Sequence, residues 1–157
     1  RWGVPIIVQR FVSGAEFNVI GLSDGEGRLL SYVAMRKQYI TDKGKAWAGV
    51  TINDENLLDL TRTFVQKTSW KGPFELEWIR SDEGKFYLIE VNPRIPAWVY
   101  LATASGQNIP ELIVKLIKKE KISANLEYEV GKMFVRCSWD LIVDFSEFGK
   151  FSSKAEL

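Results

Sequence analysis

Apolar residues fall in short runs interrupted by glycine, proline and charge, and most runs are too short for helices. Val4 to Val12 (VPIIVQRFV) is rich in β-branched side chains and predicts a buried strand. Ser13-Gly14 marks a turn, after which Glu16 to Leu22 predicts a second strand. Asp24-Gly25-Glu26-Gly27 predicts a tight hairpin, because glycine takes positive φ without steric cost, and Leu29 to Met35 returns as a third strand. Lys43-Gly44-Lys45 reads as polar loop. Asn53 is placed to cap a helix running to about Lys67, with Leu57, Leu60, Thr61 and Phe64 on one stripe. Lys71-Gly72-Pro73 predicts a break. Phe74 to Ile79 and Lys85 to Val91 then read as a hairpin around Ser81-Asp82-Glu83-Gly84. Pro110 opens a short amphipathic helix, Glu111 to Lys119, with Leu112, Ile113, Leu116 and Ile117 on its apolar side. Met133 to Cys137 and Leu141 to Val143 predict closing strands. The expected class is α+β, an antiparallel β-sheet with helices packed mainly on one side. One domain is expected over residues 1–147, followed by a polar tail, 148–157.

Composition narrows the chemistry. The 157 residues include 21 Lys+Arg and 20 Asp+Glu, a formal charge of +1, so bulk attraction to nucleic acid or an anionic membrane is not expected. No apolar run approaches the roughly 20 residues of a transmembrane helix. There is no histidine, which excludes a Ser-His-Asp triad, a Cys-His pair and imidazole-held metals. The single Cys137 forms no internal disulfide, which fits a reducing cytosol. It is expected to be buried rather than nucleophilic. The segment Lys43 to Gly49 does not match G-x-x-x-x-G-K-[ST], so a P-loop is rejected.

Candidate chemistry concentrates in FELEWIRSDEGKFYLIEVNPR, Phe74 to Arg94. Alternation puts Glu75 with Glu77, and Glu90 with Asn92, on common faces. A two- or four-residue loop would bring both pairs to one side of the hairpin. Two carboxylates about 5 Å apart repel by roughly 3 kcal/mol at an effective dielectric of 20. Such a cluster therefore takes up a proton, gains a cation or opens to water. A hard divalent ion such as Mg²⁺ suits these oxygen donors. Pro93 ends the strand and throws Arg94 past it, beside the acids. Half-exposed strands that merely alternate charged and apolar residues are the plainer alternative.

Glu90-Val91-Asn92-Pro93-Arg94 resembles the E-x-N-x-R signature of the ATP-grasp superfamily, most of all its carbamoyl-phosphate synthase large-subunit-like, short-form branch. Val8-Gln9-Arg10-Phe11-Val12, with Gly14 and Glu16, resembles the adenine hinge and ribose contact of that family. The resemblance runs from about Pro5 to Arg136 and implies the C-terminal lobe of an ATP-grasp fold. It implies ATP and Mg²⁺ (or Mn²⁺) as cofactors, with Glu77, Glu90 and Asn92 as metal ligands and Arg94 as a phosphate and intermediate contact. Glu77 follows Gly72 by five residues, as the family's first acidic ligand follows its glycine. Its separation from Glu90 is 90 − 77 = 13, one more than the resemblance implies. A longer hairpin loop would absorb the difference, and Glu75 is the rival for the role.

Gln9, Arg10, Phe11 and Val12 are implied at adenine, with Leu88 as a neighbour of the base, and Glu16 at ribose. Arg36 and Lys37 are placed either to reach phosphates or to form a solvated strand end. Arg136 lies inside an apolar strand, where an unpaired charge is expensive to bury. It resembles an arginine facing the reaction centre in biotin carboxylase-like members, the alternative being a structural ion pair. Trp70 and Trp78 are expected in the core, whereas Trp98 is placed to line an acceptor pocket.

The implied activity is that of a carboxylate ligase lobe: ATP phosphorylates a small carboxylate, and an amine or thiol acceptor attacks the acyl phosphate. The sequence from Arg1 onward lacks the phosphate lysine and glycine-rich loop of an N-terminal ATP-grasp subdomain. It is therefore expected to be a fragment of a longer protein, to need that subdomain and to be inactive alone. The alternatives are a non-catalytic nucleotide-binding regulatory or assembly module, and a structural interaction domain.

Overall fold

A computed structural model describes residues 3, 6–41, 44–138, 140 and 142–145. Its centre is a six-stranded sheet in the order β5-β4-β1-β2-β3-β6, with every neighbouring pair antiparallel. The strands are β1 (Ala15–Asp24), β2 (Leu29–Ile40), β3 (Ala46–Thr51), β4 (Lys71–Arg80), β5 (Phe86–Asn92) and β6 (Met133–Val135). Helix α1 (Glu55–Thr68) connects β3 to β4, and α2 (Val99–Ala104) and α3 (Ile109–Ile117) follow β5. The α+β class and the antiparallel sheet match the expectation.

Alternation along the strands builds two cores. Phe17, Val19, Phe74, Leu76 and Trp78 face one side, where Leu57 and Val65 of α1 cover them. Ile20, Leu22, Val33 and Met35 face the other, against Trp98, Leu101 and Ala102 around α2 and Ile109 of α3. Each fully buried side chain of this size contributes about 1.5–3 kcal/mol relative to exposure. Helices α2 and α3 thus lie on one face, but they cover only part of it. The remainder carries polar side chains, and there the site is built.

Several local expectations need correction. Asp54, not Asn53, caps α1: its backbone is extended, and Leu57 donates its N–H to Asp54 Oδ1 at 3.1 Å. The buried stripe is Leu57, Thr61 and Val65, and Leu60 is exposed. Asn108 caps α3, which starts at Ile109 with Pro110 in its first turn. Lys71-Gly72-Pro73 does not break the chain but opens β4. Pro73 pairs with Leu22 and lies past the last β4–β5 pair, Glu75 with Asn92, so no neighbour on that side needs its missing N–H. Residues 46–51, directly after the polar loop expected at 43–45 and assigned no element in the sequence, form β3.

Residues 6–12 form no strand. Val8 is 90% and Phe11 89% exposed, because neither sheet edge, β5 or β6, pairs with this run among the described residues. Val4 and Pro5 lie outside the described residues. The last expected strand is also absent at Ile142 and Val143, both exposed, and Leu141 lies outside. β6 ends at Val135, which leaves Arg136 and Cys137 exposed rather than inside a strand. Lys43, the 147/148 boundary and the expected tail fall outside the described residues.

Tyr32 and Tyr128 pack with ring centroids 5.8 Å apart beneath α1. Burial pushes both phenols above the ordinary value of 10.0 and the charge of Asp54 adds to the rise, whereas the hydrogen bond from the Ala34 N–H works against it at Tyr128. A raised folded pKa makes this stabilisation complete below pH 10 and erodes it as pH rises beyond. Urea unfolding between pH 8 and 11 is expected to show stability falling above about pH 10 by up to about 1.4 kcal/mol per pH unit for each phenol. Tyr32→Phe is expected to flatten that fall; an unchanged slope would exclude the phenol as its source.

Candidate functional site

The hairpin β4–β5 brings the acidic residues together through a bulge rather than through its loop. Arg80 pairs with Phe86 across a connection from Ser81 to Lys85, and Trp78 pairs with Leu88. Glu77, however, pairs with Glu90, and Glu75 with Asn92. One extra residue, Ile89, therefore sits in β5 between Leu88 and Glu90. That residue absorbs the additional position between Glu77 and Glu90. It also reverses the facing of the strand, so that Glu90 and Asn92 join Glu75 and Glu77 on the polar side. Bulges re-aim side chains in this way, and nothing in the spacing of the motif distinguishes a bulge from a longer loop.

The polar side forms a cavity of about 660 Å³, lined by four carboxylates, Glu16, Glu75, Glu77 and Glu90, and four cations, Lys37, Lys45, Arg94 and Arg136. Lys37 is 8% exposed. Its ammonium donates to Glu16 Oε2 at 2.7 Å, to Glu77 Oε2 at 3.0 Å and to the Gly44 carbonyl at 3.3 Å. Burial works against the charged ammonium, but the hydrogen bonds and charges of Glu16 and Glu77 outweigh it and hold Lys37 above the usual lysine value. The carboxylate repulsion expected from the sequence is thus relieved by an internal cation and by an open cavity.

Glu75 is 3% exposed. Its Oε1 accepts from Asn18 Nδ2 at 2.8 Å and Trp98 Nε1 at 2.7 Å. Its Oε2 faces Asn92 Nδ2 and an Arg94 guanidinium nitrogen, each at 3.4 Å. Asn92 Nδ2 also reaches Glu77 Oε1 at 3.3 Å. Glu90 makes no hydrogen bond or ion pair among the described residues and is exposed to the cavity.

Of the residues singled out in the sequence, Glu16, Lys37, Glu77, Glu90, Arg94 and Arg136 line this one cavity, and Asn92 is bonded to two of its walls. Arg36 alternates to the other face, opposite Phe17, and is exposed. Leu88 lies before the bulge and does not line the cavity; Ile89 does. Gln9, Arg10, Phe11 and Val12 lie in the irregular segment before β1 and do not line it. Arg136 has no acidic partner among the described residues: Nε donates to the Ala46 carbonyl at 3.1 Å, and the guanidinium lies 5.9 Å from the Phe134 ring centre. Trp98 lines the cavity, while Trp78 is buried in the α1-side core and Trp70 packs against it. Sequence reasoning passed over Asn18 and Lys45. Asn18 was open to detection, being two residues after Glu16 on the same strand and so on the same face.

The donor chemistry suits a hard cation. Glu77 and Glu90 are directly opposed like charges, a destabilising cross-strand pair without a cation between them. Asn92 turns its NH₂ to the carboxylates, which leaves its oxygen as a donor. Among the described residues no three His, Cys, Asp or Glu side chains form a ready metal cage, so the amide oxygen is needed to complete the set.

Comparisons with known proteins agree with this architecture. Residues 3–135 match the family model described as ATP-grasp in the biosynthetic pathway with Ter operon. The carbamoyl phosphate synthase large chain of Clostridium perfringens is 30% identical over 135 residues, covering 81% of this chain. The match spans only 12% of that relative's length. Among solved structures, biotin carboxylase from Campylobacter jejuni matches with a TM-score of 0.65 at 12% identity, over 80% of this chain and 30% of that one. The biotin carboxylase domain of Hydrogenobacter thermophilus 2-oxoglutarate carboxylase, solved with MgADP, ADP and bicarbonate, matches with a TM-score of 0.63 at 15% identity, over 76% of this chain and 28% of that one. These structures share the fold, and no helix among the described residues is long and apolar enough to cross a membrane. On the extent of the family match and the kinship to carbamoyl phosphate synthase large chains, the chain belongs to the ATP-grasp family.

Proposed function

We propose that this chain is the C-terminal lobe of an ATP- and Mg²⁺-dependent ligase that activates a small carboxylate as its acyl phosphate for attack by an amine or thiol. One arrangement supports this above all: Glu77 and Glu90 face each other in the same cavity as Glu16, with Arg94 beside them. Glu77, Glu90 and the Asn92 oxygen would hold Mg²⁺, which when bound supplies neutralisation of the nucleotide phosphates. Glu16 would accept from the ribose hydroxyls. The γ-phosphoryl group would pass to a carboxylate oxygen as ADP leaves, and the nucleophile would then displace phosphate at the acyl carbon. Little proton transfer is needed, so the contribution of the protein is orientation and charge stabilisation. Arg94, held at the cavity by Glu75, and Arg136, which has no acidic partner among the described residues, are cavity cations suited to an anion in transit. Gln9 to Val12 would meet adenine, and an N-terminal subdomain would close the cleft over Lys37 and Lys45.

Calorimetry on the full-length protein tests this reading. Asn92→Ala is expected to weaken Mg²⁺-dependent ATP binding at least about tenfold, the low end of what losing even an indirect partner of a bound metal costs. In EDTA the variant and the wild type should bind alike. A silent Asn92→Ala would favour a regulatory nucleotide-binding module. The present chain alone, given ATP, Mg²⁺ and candidate acids, is expected to release no more phosphate than its Glu90→Ala variant.

A further inference from the structure

We infer that Glu75 is a positioning residue and not a metal ligand: its buried carboxylate sets the orientation of the Asn92 amide and anchors Arg94 at the cavity. This rests on the ligase reading, but its geometry stands apart from it. A carboxylate offers about four lone-pair sites. Four donors approach those of Glu75: Asn18 and Trp98 on Oε1, Asn92 and Arg94 on Oε2. No site remains for a cation. Glu77 differs, with two donors and a partly accessible side chain, and Glu90 has none. The donors on Glu75 come from β1, the end of β5 and the turn leading to α2, so the carboxylate ties together three segments that border the cavity.

The consequence for Asn92 is chemical. Its amide lies between two acceptors, Glu75 Oε2 and Glu77 Oε1, so only the NH₂ end can face them. The amide oxygen is thereby turned away from both carboxylates, which is the end a cation requires. Without Glu75, Glu77 alone would hold the amide at 3.3 Å, and rotation of the group would meet less resistance.

Glu75→Gln separates the two halves of this arrangement. The glutamine oxygen is held by the two short donors, Asn18 and Trp98, which forces its NH₂ against Asn92 and Arg94. In the full-length protein, Mn²⁺ binding in the presence of ADP, followed by electron paramagnetic resonance, is expected to weaken about 10-fold in Glu75→Gln. Glu77→Gln, which removes a ligand, is expected to weaken it further. The Trp98 indole N–H resonance should persist, while the Asn92 side-chain amide resonances should shift even without metal. Wild-type Mn²⁺ affinity in Glu75→Gln, a loss as complete as in Glu77→Gln, or unmoved Asn92 resonances would each overturn the assignment. Failure of the wild type to bind Mn²⁺–ADP would instead overturn the ligase reading, with the Asn92 resonances still deciding the role of Glu75. Should Glu75→Gln not fold, the carboxylate ¹³C signals of the wild type decide: Mg²⁺–ADP should move those of Glu77 and Glu90 and leave Glu75 in place. A Glu75 signal that moves with them sinks the proposal.

Discussion

Lys37→Met is expected to destabilise the protein by about 3 kcal/mol, and Mg²⁺ is expected to return part of that loss. The ammonium is buried and bonded to Glu16 and Glu77 at 2.7 and 3.0 Å. Methionine keeps much of the stem volume but leaves two neighbouring carboxylates without their shared cation. Removing one partner of a buried ion pair typically costs 3–5 kcal/mol. The low end applies because Glu16 and Glu77 retain contact with the cavity. A cation bound near Glu77 would supply the missing charge, so Mg²⁺ should raise the urea midpoint of Lys37→Met more than that of the wild type. The difference between the two proteins should also narrow at high pH. Lys37 is held above its ordinary value of 10.5, so its contribution is complete below that pH and disappears as pH rises through the folded value. Equal stability at pH 7, or an equal Mg²⁺ effect on both proteins, would show that Lys37 does not neutralise this cluster.

The same cluster shows which information was local in the sequence. Alternation within β4 and β5 was enough to pair Glu75 with Glu77 and Glu90 with Asn92, because side-chain period is a property of each strand alone. Whether the two pairs shared a face depended on a single residue, Ile89, whose bulge restores an offset that the Ser81–Lys85 connection by itself would have lost. Ile89 is as strand-prone as its neighbours, and only the pairing with Glu77 and Trp78 shows that it is the extra residue. The distinct roles of Glu75 and Glu77 were hidden for a similar reason. They are equivalent by periodicity and differ only in their partners, and Asn18 and Trp98 lie 57 and 23 residues away from Glu75. β3 was missed because Ala46, Ala48 and Gly49 have weak strand preference and gain it only between β2 and β6. Conversely, residues 6–12 have strong strand preference but pair with no strand among the described residues. Arg36 and Lys37 were adjacent cations with a shared reading until the strand sent them to opposite faces.

The largest loss of stability is expected at a contact that joins the α1-side core to the sheet itself. Phe74 is fully buried, lies 5.7 Å from the Phe64 ring and 6.1 Å from the Trp70 ring, and fills the space left by the absent side chain of Gly21 on the paired strand β1. A Cβ at Gly21 would overlap the Phe74 ring. Phe74→Ala is expected to destabilise by about 3–5 kcal/mol through lost burial and an unfilled cavity. For a domain of this size that corresponds to a midpoint lowered by roughly 6–20 °C. Gly21→Ala should cost about 1–3 kcal/mol for the opposite reason, overpacking against a ring held by two aromatic neighbours. Because the two changes act on one volume, they should not add. In the double variant the alanine methyl at position 21 enters space vacated by the ring, so the combined loss should fall short of the sum of the single losses by about 0.5–3 kcal/mol. Additive losses in a thermal double-mutant cycle would mean that Gly21 is required for some reason other than the approach of Phe74.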